Sequence, residues 1–207
     1  MSADEKQTAR IEAFSDGVFA IAITLLILEL RIPIFGPSDP PPSDAALLDR
    51  LRHDWHHYLA FFLSFTSILV MWVNHHRIFS LIRRIDDSFV YSNGLLLMFI
   101  TVVPYPTALL AEYMDKEGAQ TAAAVYSGVG LLIALAYNLL WRHATDHGRL
   151  LAPGREREAA ELTRQYRWGP ASYAVAFALS FVSAELSIAL CLTMVVYFAF
   201  RGWTKRK

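Results

Sequence analysis

Apolar runs about as long as a bilayer is thick recur along this 207-residue chain, and its charged residues are confined to the gaps between them. A helix rises 1.5 Å per residue, so roughly 20 apolar residues cross the ~30 Å of hydrocarbon in a membrane. A chain patterned this way is expected to be an all-α, polytopic membrane protein. Its composition agrees, with 55% hydrophobic residues against 18% charged ones. Lys plus Arg equals Asp plus Glu, and there is no basic low-complexity tail, so nothing points to nucleic acid. The single cysteine, Cys191, has no partner within the chain, which excludes a disulfide framework, an iron–sulfur site or a thiolate zinc site. Residues 1–9 are polar and acidic and lack the basic start of a signal peptide, so the first span is expected to stay in the mature protein.

Spans are expected at 11–30, 57–79, 89–111 (ending over Pro104 and Pro106) and 119–141. The last apolar stretch, 169–200, is too long for one span and carries Glu185 near its middle, where a carboxylate at the bilayer centre costs several kcal/mol. Dividing it at 183–187 gives two short spans, 169–183 and 187–201, and six in all. With the N-terminus in the cytoplasm, 15 basic residues fall inside and 4 outside: Arg31, Arg50, Arg52 and Lys116. That is the asymmetry of the positive-inside rule, and a five-span arrangement weakens it to 11 against 8. Both termini are therefore expected in the cytoplasm. Segment 32–54 reads as a proline-rich outer loop, with Pro33, Pro37, Pro40, Pro41 and Pro42, followed by an amphipathic stretch at 45–52. Segment 142–167 carries alternating charges and reads as a cytoplasmic helix or helical extension. The outer side holds nine acids, Glu185 among them. They either enrich cations locally or are what the positive-inside bias leaves behind.

The first span opens Arg10-Ile-Glu-Ala-Phe14-Ser15-Asp16-Gly17. At 100° per residue Gly17, Ile21, Thr24, Leu25 and Leu28 share one face, with Phe14 at its edge, and Asp16 falls on another. A carboxylate so near an apolar helix either reaches interfacial water or joins a polar network inside the bundle. Helix 57–79 brings Trp72, Asn74, His75 and His76 to the same depth, all able to donate to a carboxylate, and Arg10 is a further partner. Adjacent histidines face different ways and no third ligand stands at helical spacing, so no metal is expected at His75 and His76. His56 and His57, beside Trp55, read as interfacial. Ala123, Ala124, Ser127, Gly128 and Gly130 suit close helix packing.

The Arg-x-x-x-Phe-Ser-Asp-Gly opening resembles the signature of the transmembrane protein 175 family, which contains lysosomal potassium channels of animals and shorter prokaryotic relatives. Trp72-Val-Asn74-His75-His76, Asn93-Gly94 and Pro104-Tyr-Pro106-Thr107 are further matches, so the resemblance covers the first half of the chain. It implies one transmembrane channel domain over 1–207, assembled as a homotetramer with four copies of the first helix around a central pore. In that frame Ile21 matches the pore's hydrophobic constriction, Leu25 and Leu28 match positions further out, and Thr24 matches the polar position that carries selectivity. From periodicity alone the same residues are open to a second reading, contact with lipid or with a neighbouring helix. The chain has no Thr-Val-Gly-Tyr-Gly carbonyl filter, so selectivity would come from side chains.

The function expected is a potassium-selective cation channel, passive and without cofactor, in the plasma (inner) membrane of a prokaryote, its partners being potassium ions, membrane lipid and its own copies. No phosphate loop or nucleophile arrangement suggests an enzyme. The alternative is a proton-coupled or proton-conducting transporter using Asp16 and the histidines of the second span. A redox or metal-holding membrane subunit is the third class, and the absence of paired ligands counts against it.

Overall fold

The chain was analysed as a computed structural model, which describes residues 3–37, 39, 41 and 43–203. Pro40, Pro42, Lys205, Arg206 and Lys207, counted above, lie outside the described residues. Nine α-helices are found among the described residues: α1 Ala3–Leu25, α2 Asp44–His53, α3 Trp55–Leu81, α4 Asp87–Val102, α5 Pro104–Tyr113, α6 Ala119–Thr145, α7 Glu156–Tyr166, α8 Gly169–Ser180 and α9 Ala184–Trp203.

Among the described residues, four stretches are long and apolar enough to cross a membrane: Asp4–Glu29, Trp55–Leu81, Asp87–Tyr113 and Ala119–Thr145. The helices outrun the apolar runs because polar residues propagate a helix once it is nucleated. Hence α1 starts at Ala3 rather than at 11, and tightens into a 3₁₀ turn over Leu26–Glu29. The run 89–111 is not one uninterrupted helix. It is hitched at Val103, because Pro104 and Pro106 have no N–H to donate to the preceding turn. The segment 169–200 breaks at 181–183, a few residues before the expected 183–187. Ser183 Oγ accepts from the Leu186 N–H at 3.1 Å and donates to Glu185 at 2.6 Å, so the carboxylate lies in the first turn of α9. The amphipathic outer segment forms α2, which starts at the cap Ser43 and has no buried residue.

Two apolar clusters fill the bundle. One joins α1, α3, α4, α6 and α7 around Leu26, Ile68, Phe89, Ile100 and Trp141. The other joins α3, α5, α6, α8 and α9 around Leu63, Leu110, Ala123, Ala176 and Ile188. Small residues of α6 admit α8 closely: a Cβ at Gly130 would stand 2.7 Å from the Tyr173 ring, and one at Gly128 would stand 3.3 Å from Phe177.

The end of the bundle nearest residue 3 is closed by paired loops. The Arg83 N–H donates to the Leu150 carbonyl and the Ala152 N–H to the Leu81 carbonyl, both at 2.9 Å, around an antiparallel bridge of Ile82 with Leu151. Asp86 holds this clasp. Its Oδ1 accepts from the Phe89 N–H and from His143 Nε2, each at 2.8 Å, and its Oδ2 accepts from Arg149 at 3.2 Å. Burial pushes its pKa up, but the hydrogen bonds from Phe89 and His143 and the charge of the nearby Arg149 outweigh it, holding the carboxyl below the usual range.

At the opposite end Arg31 pairs with Glu112 at 2.7 Å, and His57 Nδ1 meets the Glu29 carbonyl at 3.2 Å, fixing the end of α1 against α3 and α5. His56 and His57 are buried within the chain at this end of the bundle, 5% and 8% exposed. The His57 ring has a partner because the 3₁₀ turn leaves the Glu29 carbonyl outside the helix ladder, whereas the buried His56 Nδ1 has no hydrogen-bond partner among the described residues.

Candidate functional site

The helix α1 has two unlike faces. Ser15, Phe19, Ala22 and Leu26 are buried against the rest of the chain. Phe14, Ile21, Leu25 and Leu28 are exposed by 65%, 60%, 42% and 72%, and Gly17 and Thr24 are exposed with them. The chain therefore leaves uncovered the face that projection of the sequence groups together. Thr24 folds its hydroxyl proton back onto the Ala20 and Ile21 carbonyls, each at 2.9 Å, so the outward side of the oxygen offers lone pairs. Beyond the adjoining residues and backbone of its own helix, no described residue lies within 4 Å of a Cβ built on Gly17.

Behind that face, side chains from α3 and α4 hold α1 in place. Trp72 Nε1 donates to Asp16 Oδ1 at 2.8 Å. His76 Nδ1 donates to Glu12 Oε1 at 2.9 Å, its ring stacked on Trp72. Deeper in, His75 Nε2 donates to Asn93 Oδ1, and Asn93 Nδ2 donates to Ser15 Oγ, both at 2.9 Å. Ser15 passes its own proton to the Ile11 carbonyl. Each of these side chains spends one donor on the next acceptor, which links the run at low exposure, and the buried His75 Nδ1 has no hydrogen-bond partner among the described residues. His75 and Asn93 are 0% and 2% exposed, and the His75 ring is sandwiched by Phe19 and Phe79.

Of the donors expected to meet Asp16, Trp72 does so. Asn74, His75 and His76 are corrected to other partners, and Arg10, on the exposed side of α1, lies outside this set of bonds. The reason is helical geometry: successive residues of α3 point about 100° apart, so one carboxylate cannot gather donors from 74, 75 and 76. The Asn74 amide donates instead to the Val70 carbonyl in its own helix. The two histidines diverge for the same reason.

Sequence reasoning missed what braces α3 from behind. Tyr137 Oη donates to the Met71 carbonyl at 2.6 Å, and Tyr166 Oη donates to the Asn74 carbonyl at 3.1 Å. Asn138 reaches the Tyr166 carbonyl, and Trp141 Nε1 reaches Thr163 Oγ1, tying α7 to α6. A tyrosine in an apolar run signals only that its hydroxyl needs an acceptor somewhere.

The fold and the held helix define a multi-pass α-helical membrane protein whose first helix is polar-locked on one side and bare on the other. A model of the family described as "Endosomal/lysosomal potassium channel TMEM175" matches residues 10–104. A potassium channel of Chamaesiphon minutus is 54% identical over 96% of this chain and 97% of its own length. A potassium channel of Streptomyces collinus is 43% identical over 94% of this chain and 92% of its own. The crystal structure of a lysosomal potassium-selective channel TMEM175 homolog from Chamaesiphon minutus superposes with a TM-score of 0.85 at 52% identity, over 95% of this chain and 98% of that one. The chain belongs to the TMEM175 family, as a prokaryotic member.

Proposed function

We propose that the chain is a potassium channel that conducts passively through a pore lined by α1 from four copies. The observation that carries the reading is the bare face of α1. A helix buried on one side and held by Asp16, Glu12 and Ser15 presents Gly17, Ile21, Thr24, Leu25 and Leu28 to something outside its own chain. A single copy of such a helix encloses nothing, whereas four related by a fourfold axis close a ring. Prokaryotic relatives that match over nearly their whole length are named potassium channels. In this reading Ile21, Leu25 and Leu28 form the apolar constriction, and the Thr24 oxygens replace part of an ion's hydration. Arg10, Phe14, Ser15, Asp16, Gly17, Trp72, Asn74, His75 and His76 make up the entrance and its bracing. Six spans then count α8 and α9 as a short hairpin of two. Both termini face the cytoplasm, because the loop clasp around Asp86 carries Arg83, Arg84 and Arg149 at the N-terminal end. The membrane is the prokaryotic plasma membrane.

The proton-coupled alternative needs the carboxylates and histidines in one chain of exchange. They stand instead in separate pairs, and the partner of Asp16 is an indole, which cannot pass a proton on. Purified protein in planar bilayers under opposed potassium and sodium gradients decides between them. An ohmic current that reverses near the potassium equilibrium potential is expected. A saturable flux that follows the pH gradient, or no current from assembled protein, defeats the channel reading.

A further inference from the structure

The face of α3 turned away from α1 borders a cavity of about 70 Å³ between α3, α6, α8 and α9. Trp72 and His76, which grip α1, lie about half a turn around α3 from Val70 and Asn74, which line the cavity. Val70, Ile133, Val195 and Phe198 give the wall its hydrocarbon, and four polar residues beside them are spent elsewhere. Ser67 donates its hydroxyl to the Leu63 carbonyl, Tyr137 and Tyr166 donate theirs to the Met71 and Asn74 carbonyls, and Asn74 Oδ1 is sealed within the wall. A buried water needs two to four polar partners, and apolar cavities that lack them stay dry.

The cavity lies at the depth where lipid chains end. Ser67 and Val70 stand near the middle of the Trp55–Leu81 span, and Gly130 and Ile133 near the middle of Ala119–Thr145. The terminal methyls of the two leaflets meet at the middle of a bilayer's hydrocarbon. Val70 and Phe198 are only partly buried, so the edge of the cavity reaches the outside of the bundle between α3 and α9. Leu192, Val196 and Phe200 leave the outer surface of α9 apolar as well. With α1 at the axis of the proposed tetramer, this far side of α3 faces lipid, and to that extent the inference rests on the pore reading. Hydrocarbon that enters from lipid gains nothing from leaving water. Wall atoms that face a void lack partners, however, and recover dispersion contacts when it fills. At ~30 Å³ for each water-sized group, there is room for a methyl and a neighbouring methylene. We propose that this cavity is a binding site for the end of a lipid acyl chain, which enters between Val70 and Phe198. A seated chain backs the Met71–Asn74 stretch of α3, so the bilayer presses on the turn whose other side holds α1.

The test is anomalous scattering from crystals of the full chain grown with phosphatidylcholine that carries bromine on its terminal chain carbons. A bromine peak is expected inside the cavity, beside Val70, Ile133 and Val195. Val195→Phe should fill the interior and Val70→Phe should plug the edge, each abolishing that peak while bromines along the outer surface persist. Val70 is partly exposed, so its variant carries the test if Val195→Phe fails to fold. No bromine in the cavity, an ordered water there, or a peak that survives either substitution would overturn the site. So would xenon entering the cavity of pressurised crystals where bromine does not, because the cavity then accepts only free apolar solutes. The readout needs no current. A bromine-filled cavity in a chain whose α1 faces lipid would sink the pore and leave this site standing, and an empty cavity in a fourfold tetramer would do the reverse.

Discussion

Ile21 and Thr24 stand one turn apart on the bare face of α1, and in the proposed tetramer their side chains would divide the labour of the pore. Four isoleucines around an axis form an apolar ring that sheds water and stops ions. Ile21→Asn should wet that ring and raise single-channel conductance, and an unchanged current from assembled protein would remove Ile21 from the pore. Thr24→Val keeps the shape and deletes the oxygen, so the reversal potential should move toward non-selectivity while current persists. The buried relay is the other residue-scale unit. Asn93 both accepts from His75 and donates to Ser15, so Asn93→Leu strands a buried ring N–H. A loss of about 1–3 kcal/mol is expected for that stranded group, read by thermal unfolding. Adding His75→Phe removes the stranded donor, so the double variant should recover part of the loss; strict additivity would mean that the two residues are not coupled.

Among the elements, α4 shows how one side chain settles both a helix end and a loop junction. Asp86 caps α4 through the Phe89 N–H and collects His143 and Arg149 from the loop after α6. Asp86→Asn keeps a capping acceptor and drops the charge, whereas Asp86→Ala drops both. The alanine variant should lose about 0.5–2 kcal/mol more than the asparagine one. The depressed carboxyl sets the pH dependence. A group whose pKa is lower folded than unfolded stabilises the fold above its unfolded value, near 4, and ceases to do so as pH falls through the folded value. The gap in unfolding temperature between parent and Asp86→Asn should hold at neutral pH and close below pH ~4; a constant gap would mean that the charge is irrelevant. The hitch at Val103 and the α8–α9 turn at 181–183 are also junction effects. Proline makes the first by withholding an N–H, and the Ser183 cap makes the second.

For the whole molecule, the question is what covers α1. The chain's only cysteine, Cys191, is buried, so one introduced thiol reports proximity without interference. Native mass measurements should give four chains. Leu28→Cys, at a site 72% exposed within one chain, should form disulfide-linked pairs in membranes on mild oxidation. Monomers or dimers by mass, or a Leu28→Cys that never cross-links, would place this face against lipid instead.

Much of this protein is legible along the chain because the controlling physics is local. The first four span regions, the charged gaps between them and the common face of Gly17, Ile21, Thr24, Leu25 and Leu28 all follow from hydropathy and a 3.6-residue period. The signature around Asp16 also named the family. Periodicity could not say which donor reaches which acceptor. Asp16 and Trp72 are 56 residues apart, and Ser15 and Asn93 are 78 apart. Such pairings depend on how far each helix is rotated and slid against its neighbour, which packing around Phe19, Ile68 and Phe89 sets. The partition of Trp72, His75 and His76 among three acceptors and the Tyr137 and Tyr166 brace were therefore decided by the tertiary structure alone. Each needs two or more helices in register before the atoms meet.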